Sequence, residues 1–533
     1  MNNVVMEQQR RKYPVGIQTF SEIIREGYVY VDKTDLVWDI VHYAKYVFLS
    51  RPRRFGKTLL SFTLESYLKG DKDLFTGLKI TKKEQEWKQH PVLHFDLSTA
   101  KHLDANGVRS ELGLQLSRYE SIYGANPMET SPGMRLGGLI RRAFDKTGLQ
   151  VAVIIDEYDA PLLDVLHEGE LLHDLREILQ EFYQRLKADE QYIKFCFITG
   201  ITKFSQLSIF STINNITNVT LDPQFSAICG ITEEELRTTL WQDVAILAEA
   251  NGVGTEEMHA RLKRQYDGYH FSEDSPEVYN PFSLLKSFQR GKTDNYWFES
   301  GTPTYLIRQL QHFGTDITTL EKLEVAVDAF DQPTENMHDA LPLLYQSGYL
   351  TIKDYDKLTG AYTLSFPNEE VRMGYVKGLL PVYTGVSSSD IQIGFAAKFW
   401  TALREHDINR AMQQMQTYLA GIPYVEGFKK KLAEAATAEG FYEYTFYLIF
   451  SMLNVYVRTQ VKVAGGRVDV VVFMPDTVYV IELKAGGSAA DALNQIEEKG
   501  YADAFREENR KMVKVGVSMN KDTRTVEDWI IEE

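Results

Sequence analysis

Three groups of residues in this chain have the types and spacing for phosphate chemistry. The first is Gly56-Lys57-Thr58, which closes a short basic loop, Ser50-Arg-Pro-Arg-Arg-Phe55, between an apolar run and a helix-like one. Backbone N–H groups of such a loop, with a helix N-terminus behind it, suit a triphosphate. Lys57 would reach the outer phosphates, and the Thr58 hydroxyl would hold Mg²⁺. Arg53, Arg54, Phe55, Gly56 and Leu59 complete the expected nucleotide-binding stretch. Arg51 stands where this motif has its first glycine; it, Arg53 and Arg54 would either neutralise phosphate in cis or face a partner. The second group is Asp156-Glu157, at the end of the β-branched run Val151–Ile155. Asp156 is placed to hold Mg²⁺, directly or through water, and Glu157 to polarise the attacking water as general base. Thr199 or Lys203, after the run Lys194–Ile198, would sense the γ-phosphate.

The third group is Asp469, Glu482 and Lys484. Glu482 and Lys484 are i and i+2 on one strand and share a face. A hairpin from Asp469 to Glu482, turning at Pro475-Asp476, would bring the two carboxylates together, with Asp469 on the adjacent strand after the Gly465-Gly466 turn. Two carboxylates beside a lysine suit Mg²⁺ and an activated water attacking a phosphodiester, with Lys484 positioning the water or stabilising the developing charge. Gln495, on the helix that follows, would contact the same site, and Glu439 upstream is a candidate extra metal ligand. An isolated Glu-x-Lys is ordinarily an edge-strand pair facing water; the apolar flanks and the adjacent Asp469 weigh against that here.

These residues need two scaffolds. Strand and helix patterns alternate over residues 45–230, which predicts a mostly parallel sheet covered on both faces. In such sheets ligands bind at the carboxyl ends of the strands, where Gly56-Lys57-Thr58, Asp156-Glu157 and Thr199 all fall. A short strand is also expected at Tyr28–Val31, and core packing for Phe20. Residues 231–375 read as helical with aromatic-rich turns, and a helix at 341–349 followed by an alternating hairpin resembles a winged-helix module. The turns read as packing between subdomains rather than as stacking platforms for nucleic acid. Residues 376–533 read as helices, then a helix at 441–453, a three-stranded meander, a helix and a late strand. The expected domains are therefore 1–230, 231–375 and 376–533.

Composition limits the function classes. The chain has 533 residues, 44% hydrophobic and 25% charged, and a net charge of −16, so it is globular and too acidic to be coated in phosphate-binding surface. Its two cysteines, Cys196 and Cys229, exclude a disulfide scaffold and fit a reducing cytoplasm. No secretory signal and no transmembrane run are expected.

Taken together, Tyr30-Val-Asp-Lys-Thr34, Ser50–Thr58, Ile155-Asp-Glu-Tyr-Asp-Ala-Pro161, Tyr266-Asp-Gly-Tyr269, Tyr279-Asn-Pro281, Leu344–Leu350, Gly466-Arg-Val-Asp469, Ile481–Lys484 and Ala492–Ile496 resemble one bacterial family. In it an AAA-like P-loop ATPase domain is fused to a C-terminal PD-(D/E)XK nuclease-superfamily domain. The resemblance makes Arg51 in place of glycine expected. It implies ATP and Mg²⁺ as ligands, Lys57 and Thr58 in the Walker A loop, Asp156 and Glu157 as the Walker B pair, and Asp469, Glu482 and Lys484 as the nuclease core. It supports Glu439 as a metal ligand. Nucleic acid, DNA more than RNA, is the expected partner, a homo-oligomer is compatible, and no membrane is expected. The alternative is a nucleotide-dependent switch or scaffold whose C-terminal domain only binds nucleic acid or protein.

Overall fold

A computed structural model describes residues 11–203 except 164, 166 and 167, then 215–300, single positions between 306 and 320, 322–333, 337–384, 389–421, 456–463, 466–474, 476–508, 510–520 and 525–533. The chain divides into two compact units, one of residues 1–299 and 322–370, the other of 300–321 and 371–533.

The first unit is built on a five-stranded, wholly parallel sheet. Its strands are β1 (Tyr46–Ser50), β2 (Val92–Asp96), β3 (Val151–Asp156), β4 (Ile193–Gly200) and β5 (Thr217–Asn218), in the spatial order β2-β3-β4-β1-β5. All residues of β1 and β3 are buried, as expected of strands covered on both faces. β4 lies between β1 and β3, so the ends of the three strands that carry Ser50, Gly200 and Asp156 lie side by side. Helices Ala105–Tyr123, Pro132–Thr147 and Gly169–Ala188 pack over one face in a cluster that includes Leu112, Leu139, Ile155, Leu175, Leu179 and Phe182. Burying each such side chain contributes about 1.5–3 kcal/mol. Sequence cues set the helix ends. Asp104 and Ser131 accept the N–H of Gly107 and Met134 as N-caps, and Gly148 ends the second helix with φ +70°.

Beyond the sheet, Thr232 and Glu235 form a capping box at the start of helix Glu233–Thr239, and Leu240 separates it from helix Trp241–Ala250. β6 (Ile231–Thr232) pairs with β7 (Val278–Tyr279). The helix Leu341–Gln346 leads into the antiparallel pair β9 (Thr351–Asp356) and β10 (Ala361–Ser365), with β8 (Leu323–Val325) on the outer edge of β10. Helix and hairpin match the winged pattern. The strand expected at Tyr28–Val31 does not form; Tyr28 makes a single bridge to Lys12, and the following residues face the phosphate loop helix instead.

The second unit contains a mixed sheet in sequential order: β11 (Tyr456–Val463), β12 (Gly466–Phe473), β13 (Thr477–Ala485), β14 (Lys511–Met519) and β15 (Val526–Glu532). β13 and β14 are parallel, joined through the helix Ala489–Glu498, and the other pairs are antiparallel. β15 is an edge strand the sequence reading lacked. The helix expected at 441–453 and Glu439 lie outside the described residues. Among the described residues, no helix is long and apolar enough to cross a membrane.

Candidate nucleotide and metal sites

β1 delivers the chain to a tight loop whose geometry is set by two left-handed residues, Arg54 at φ +69° and Gly56 at φ +89°. Helix Lys57–Leu68 starts immediately afterwards, so its first N–H groups point into the turn. Lys57 is buried and folds back over the loop, donating to the carbonyls of Arg51 at 3.1 Å and Pro52 at 3.3 Å. Its ammonium also lies 3.6 Å from Glu157 Oε1.

Asp156 ends β3 almost fully buried. Its Oδ1 accepts the Glu157 N–H at 2.9 Å, while Oδ2 is buried with no hydrogen-bond partner. Burial, and then the charge of Glu157, push the Asp156 carboxyl up to about 6, against the pull of the Thr58 hydroxyl and the Lys57 ammonium. A buried carboxylate with an orphaned oxygen next to Thr58 fits a cation. Glu157 sits at φ +50°, a conformation that costs a non-glycine residue energy and recurs at functional sites. Its carboxylate faces Lys57. Next to it, Asp159 is wholly buried and binds the N–H groups of Ile201 and Thr202 and the Thr202 hydroxyl, which ties the end of β3 to the end of β4.

The flanking candidates separate. The Arg51 guanidinium is buried, donating to the carbonyls of Ser50, Thr220 and Phe225 and lying 4.2 Å from the centre of the Phe271 ring. It therefore clamps the back of the loop. Arg53 and Arg54 are exposed, and Arg54 stacks over Phe282 at 4.3 Å. Phe55 is buried edge-on against Tyr269 and Phe271. Thr199 is buried and donates its hydroxyl to the Leu49 carbonyl at 2.7 Å. Lys203 pairs with Asp331 at 2.8 Å, and its N–H donates to Gln346 Oε1. Phe20 is core, against Tyr30 and Phe75.

In the second unit the β12–β13 register pairs Val470 with Ile481, and one further step sets Asp469 opposite Glu482. The Asp469 N–H donates to Glu482 Oε2 at 3.4 Å, and Asp469 Oδ2 accepts the Leu483 N–H at 2.8 Å. Glu482 is buried, and Lys484 lies two residues along on the same face, half-buried. Gln495 donates to Glu482 Oε1 from the adjacent helix and to the Tyr501 hydroxyl at 3.3 Å. The fold thus brings Asp469, Glu482, Lys484 and Gln495 together. Two carboxylates at one strand pair, one of them oriented by an amide, fit a divalent cation with open positions for water and a phosphate oxygen.

Comparison with known proteins agrees with this geometry. Residues 14–210 match the family described as predicted AAA-ATPase, and residues 437–529 match the PD-(D/E)XK nuclease superfamily. A protein of Azotobacter chroococcum mcd 1, described as "Uncharacterized protein in vnfD 5'region", is 33% identical over 98% of this chain and 99% of its own length. The chain belongs to this AAA-ATPase-like family with a PD-(D/E)XK nuclease-superfamily domain. Two features of the ATPase-like unit escaped the sequence reading. An apolar pocket adjoins Gly56, Leu59 and Leu60, walled by Val29, Tyr30, Ile228, Cys229 and Pro281. The aromatic turns at 269–271 and 297 lie directly against the phosphate loop, with Tyr269 and Phe271 on Phe55 and the Trp297 indole donating to the Arg53 carbonyl at 3.3 Å. The motif strings Tyr30–Thr34, Tyr266–Tyr269 and Tyr279–Pro281 were visible signals, but their common destination was not.

Proposed function

We propose that the chain is a cytoplasmic, Mg²⁺-dependent ATPase whose C-terminal domain cleaves nucleic-acid phosphodiesters, DNA in preference to RNA. The observation that carries the ATPase half is the convergence of Lys57, Thr58, the orphaned Asp156 carboxylate and the strained Glu157 at the ends of β1 and β3, on either side of β4. Incoming phosphates would draw the Lys57 ammonium off Glu157 and off the loop carbonyls. The N–H groups at the start of helix Lys57–Leu68 would take the phosphate oxygens, and the base would enter the apolar pocket beside Gly56. Thr58 and Asp156 would hold Mg²⁺, which when bound neutralises phosphate charge. Released from Lys57, Glu157 would accept the proton of the attacking water. In the second site, Asp469 and Glu482 would hold Mg²⁺ with Glu439, and Lys484 would orient the water or meet the developing negative charge. We retain 1–230, 231–375 and 376–533 as the proposed functional division.

The test is a paired assay on the full chain. Lys57→Ala is expected to lose ATP affinity by about two orders of magnitude, since a charge-assisted contact to each of several phosphate oxygens is lost. Glu157→Gln is expected to bind ATP but release no phosphate. Asp469→Ala is expected to lose cleavage of single- and double-stranded substrates while hydrolysing ATP as wild type. ATP turnover unchanged in Lys57→Ala, or no cleavage by wild type with Mg²⁺ or Mn²⁺, would remove the corresponding half of the proposal. The net charge of −16 favours a second reading, a nucleotide-dependent switch whose nuclease-like domain only binds nucleic acid or protein. Tight ATP binding with negligible turnover would support it.

A further inference from the structure

The phosphate loop is held from behind by a buried polar chain that the proposed mechanism does not use. Trp297 is buried, and its indole Nε1–H donates to the carbonyl of Arg53 inside the loop at 3.3 Å. Its backbone N–H donates at 2.9 Å to Oε1 of Glu370, whose side chain is itself buried. The Trp297 ring packs against Tyr349 at 5.2 Å, which fixes its plane. Glu370 Oε2 has no hydrogen-bond partner, and neither has the nearby Ser283 hydroxyl. The charged and titratable groups around Glu370 are Asp294, Tyr266 and Tyr269; the neighbouring Glu369 pairs with Arg264 at 3.2 Å, and Lys286 sits over the Tyr296 ring at 5.5 Å.

We propose that Trp297 and Glu370 are positioning residues of the phosphate loop, acting through the Arg53 carbonyl, so that the loop's grip on a triphosphate depends on the state of Glu370. The inference rests on the ATPase reading above. Arg53 immediately precedes the left-handed Arg54, so a fixed Arg53 carbonyl fixes the plane of the peptide that sets up the turn. Burial, opposed chiefly by the hydrogen bond from the Trp297 N–H, pushes the Glu370 carboxyl up to about 7. Because the folded value lies above the ordinary carboxylate value, the contribution of Glu370 is fully present at acid pH. It is lost as pH rises through about 7, when a charge must be accommodated in the buried site beside Trp297.

The experiment compares the full chain with Trp297→Phe and Glu370→Gln. Calorimetric ATP affinity is measured at pH 6 and pH 8, and amide hydrogen exchange of the 50–60 segment is measured without nucleotide. Trp297→Phe removes one hydrogen bond and keeps the ring; it should weaken ATP about fivefold and speed exchange in the loop. Glu370→Gln keeps the acceptor and cannot ionise; its ratio of pH 8 to pH 6 affinity should be closer to one than that of wild type. The proposal falls if Trp297→Phe matches wild type in both affinity and loop exchange, or if Glu370→Gln retains the wild-type pH ratio. A wild-type chain that binds no ATP would instead overturn the ATPase reading, and the exchange comparison alone would then decide the relay.

Discussion

Arg51 occupies the position where a phosphate loop ordinarily has glycine, and its side chain explains how the loop tolerates it. The guanidinium turns away from the turn into the body of the unit, where three carbonyls and the Phe271 face replace water around it. Burial still lowers its pKa to about 10, so it stays charged at neutral pH. Restoring the usual glycine would remove a donor from each of those carbonyls, of which Phe225 keeps the Ile228 N–H, and open a void. Arg51→Gly is therefore expected to cost about 3–5 kcal/mol, seen as a lower denaturation midpoint, and to weaken rather than tighten ATP binding. An unchanged midpoint would show that the clamp contributes nothing. Lys57 and Glu157 are a different case. Their 3.6 Å separation pairs the proposed phosphate cation with the proposed general base, so in this structure each restrains the other.

The strand-loop-helix element Tyr46–Leu68 was legible because its signals are local: an apolar run, a glycine with positive φ and a helix-forming run. The elements that support it are remote in sequence and were not legible as its neighbours. Gly348, after the helix Leu341–Gln346, shows how tightly one of them fits. Its φ is +85°, and a Cβ there would lie 2.5 Å from Pro52 Cβ. Gly348→Ala is expected to destabilise the unit by about 1–3 kcal/mol and to loosen the phosphate loop, measurable as a lower Tm and faster exchange at residues 51–56. In the C-terminal sheet the hairpin β12–β13 was legible from the apolar runs on either side of Pro475-Asp476. β15 was not, because a short edge strand with charged residues reads as well for a loop.

At the scale of the molecule, each unit has its own hydrophobic core, one around β3 and β4 and the other around Val471, Val480, Ile496 and Phe505. Scanning calorimetry is therefore expected to resolve two unfolding events. ATP at a hundred times its Kd should stabilise the one that contains Lys57 by about 2.7 kcal/mol and leave the other within error; a single transition moved as a whole would refute this. The sequence by itself determined the placement of the candidate residues: Lys57, Thr58, Asp156 and Glu157 at strand ends, and Asp469, Glu482 and Lys484 on one sheet face. Residue type and a period of two or 3.6 decide such placement locally. Only the tertiary structure decided which groups those residues meet. The Arg51 clamp, the apolar pocket beside Gly56 and the Trp297–Glu370 chain each join segments far apart in sequence, 169 residues from Arg51 to Thr220, 244 from Arg53 to Trp297 and 73 from Trp297 to Glu370. Such contacts follow from long-range packing, which local periodicity does not encode.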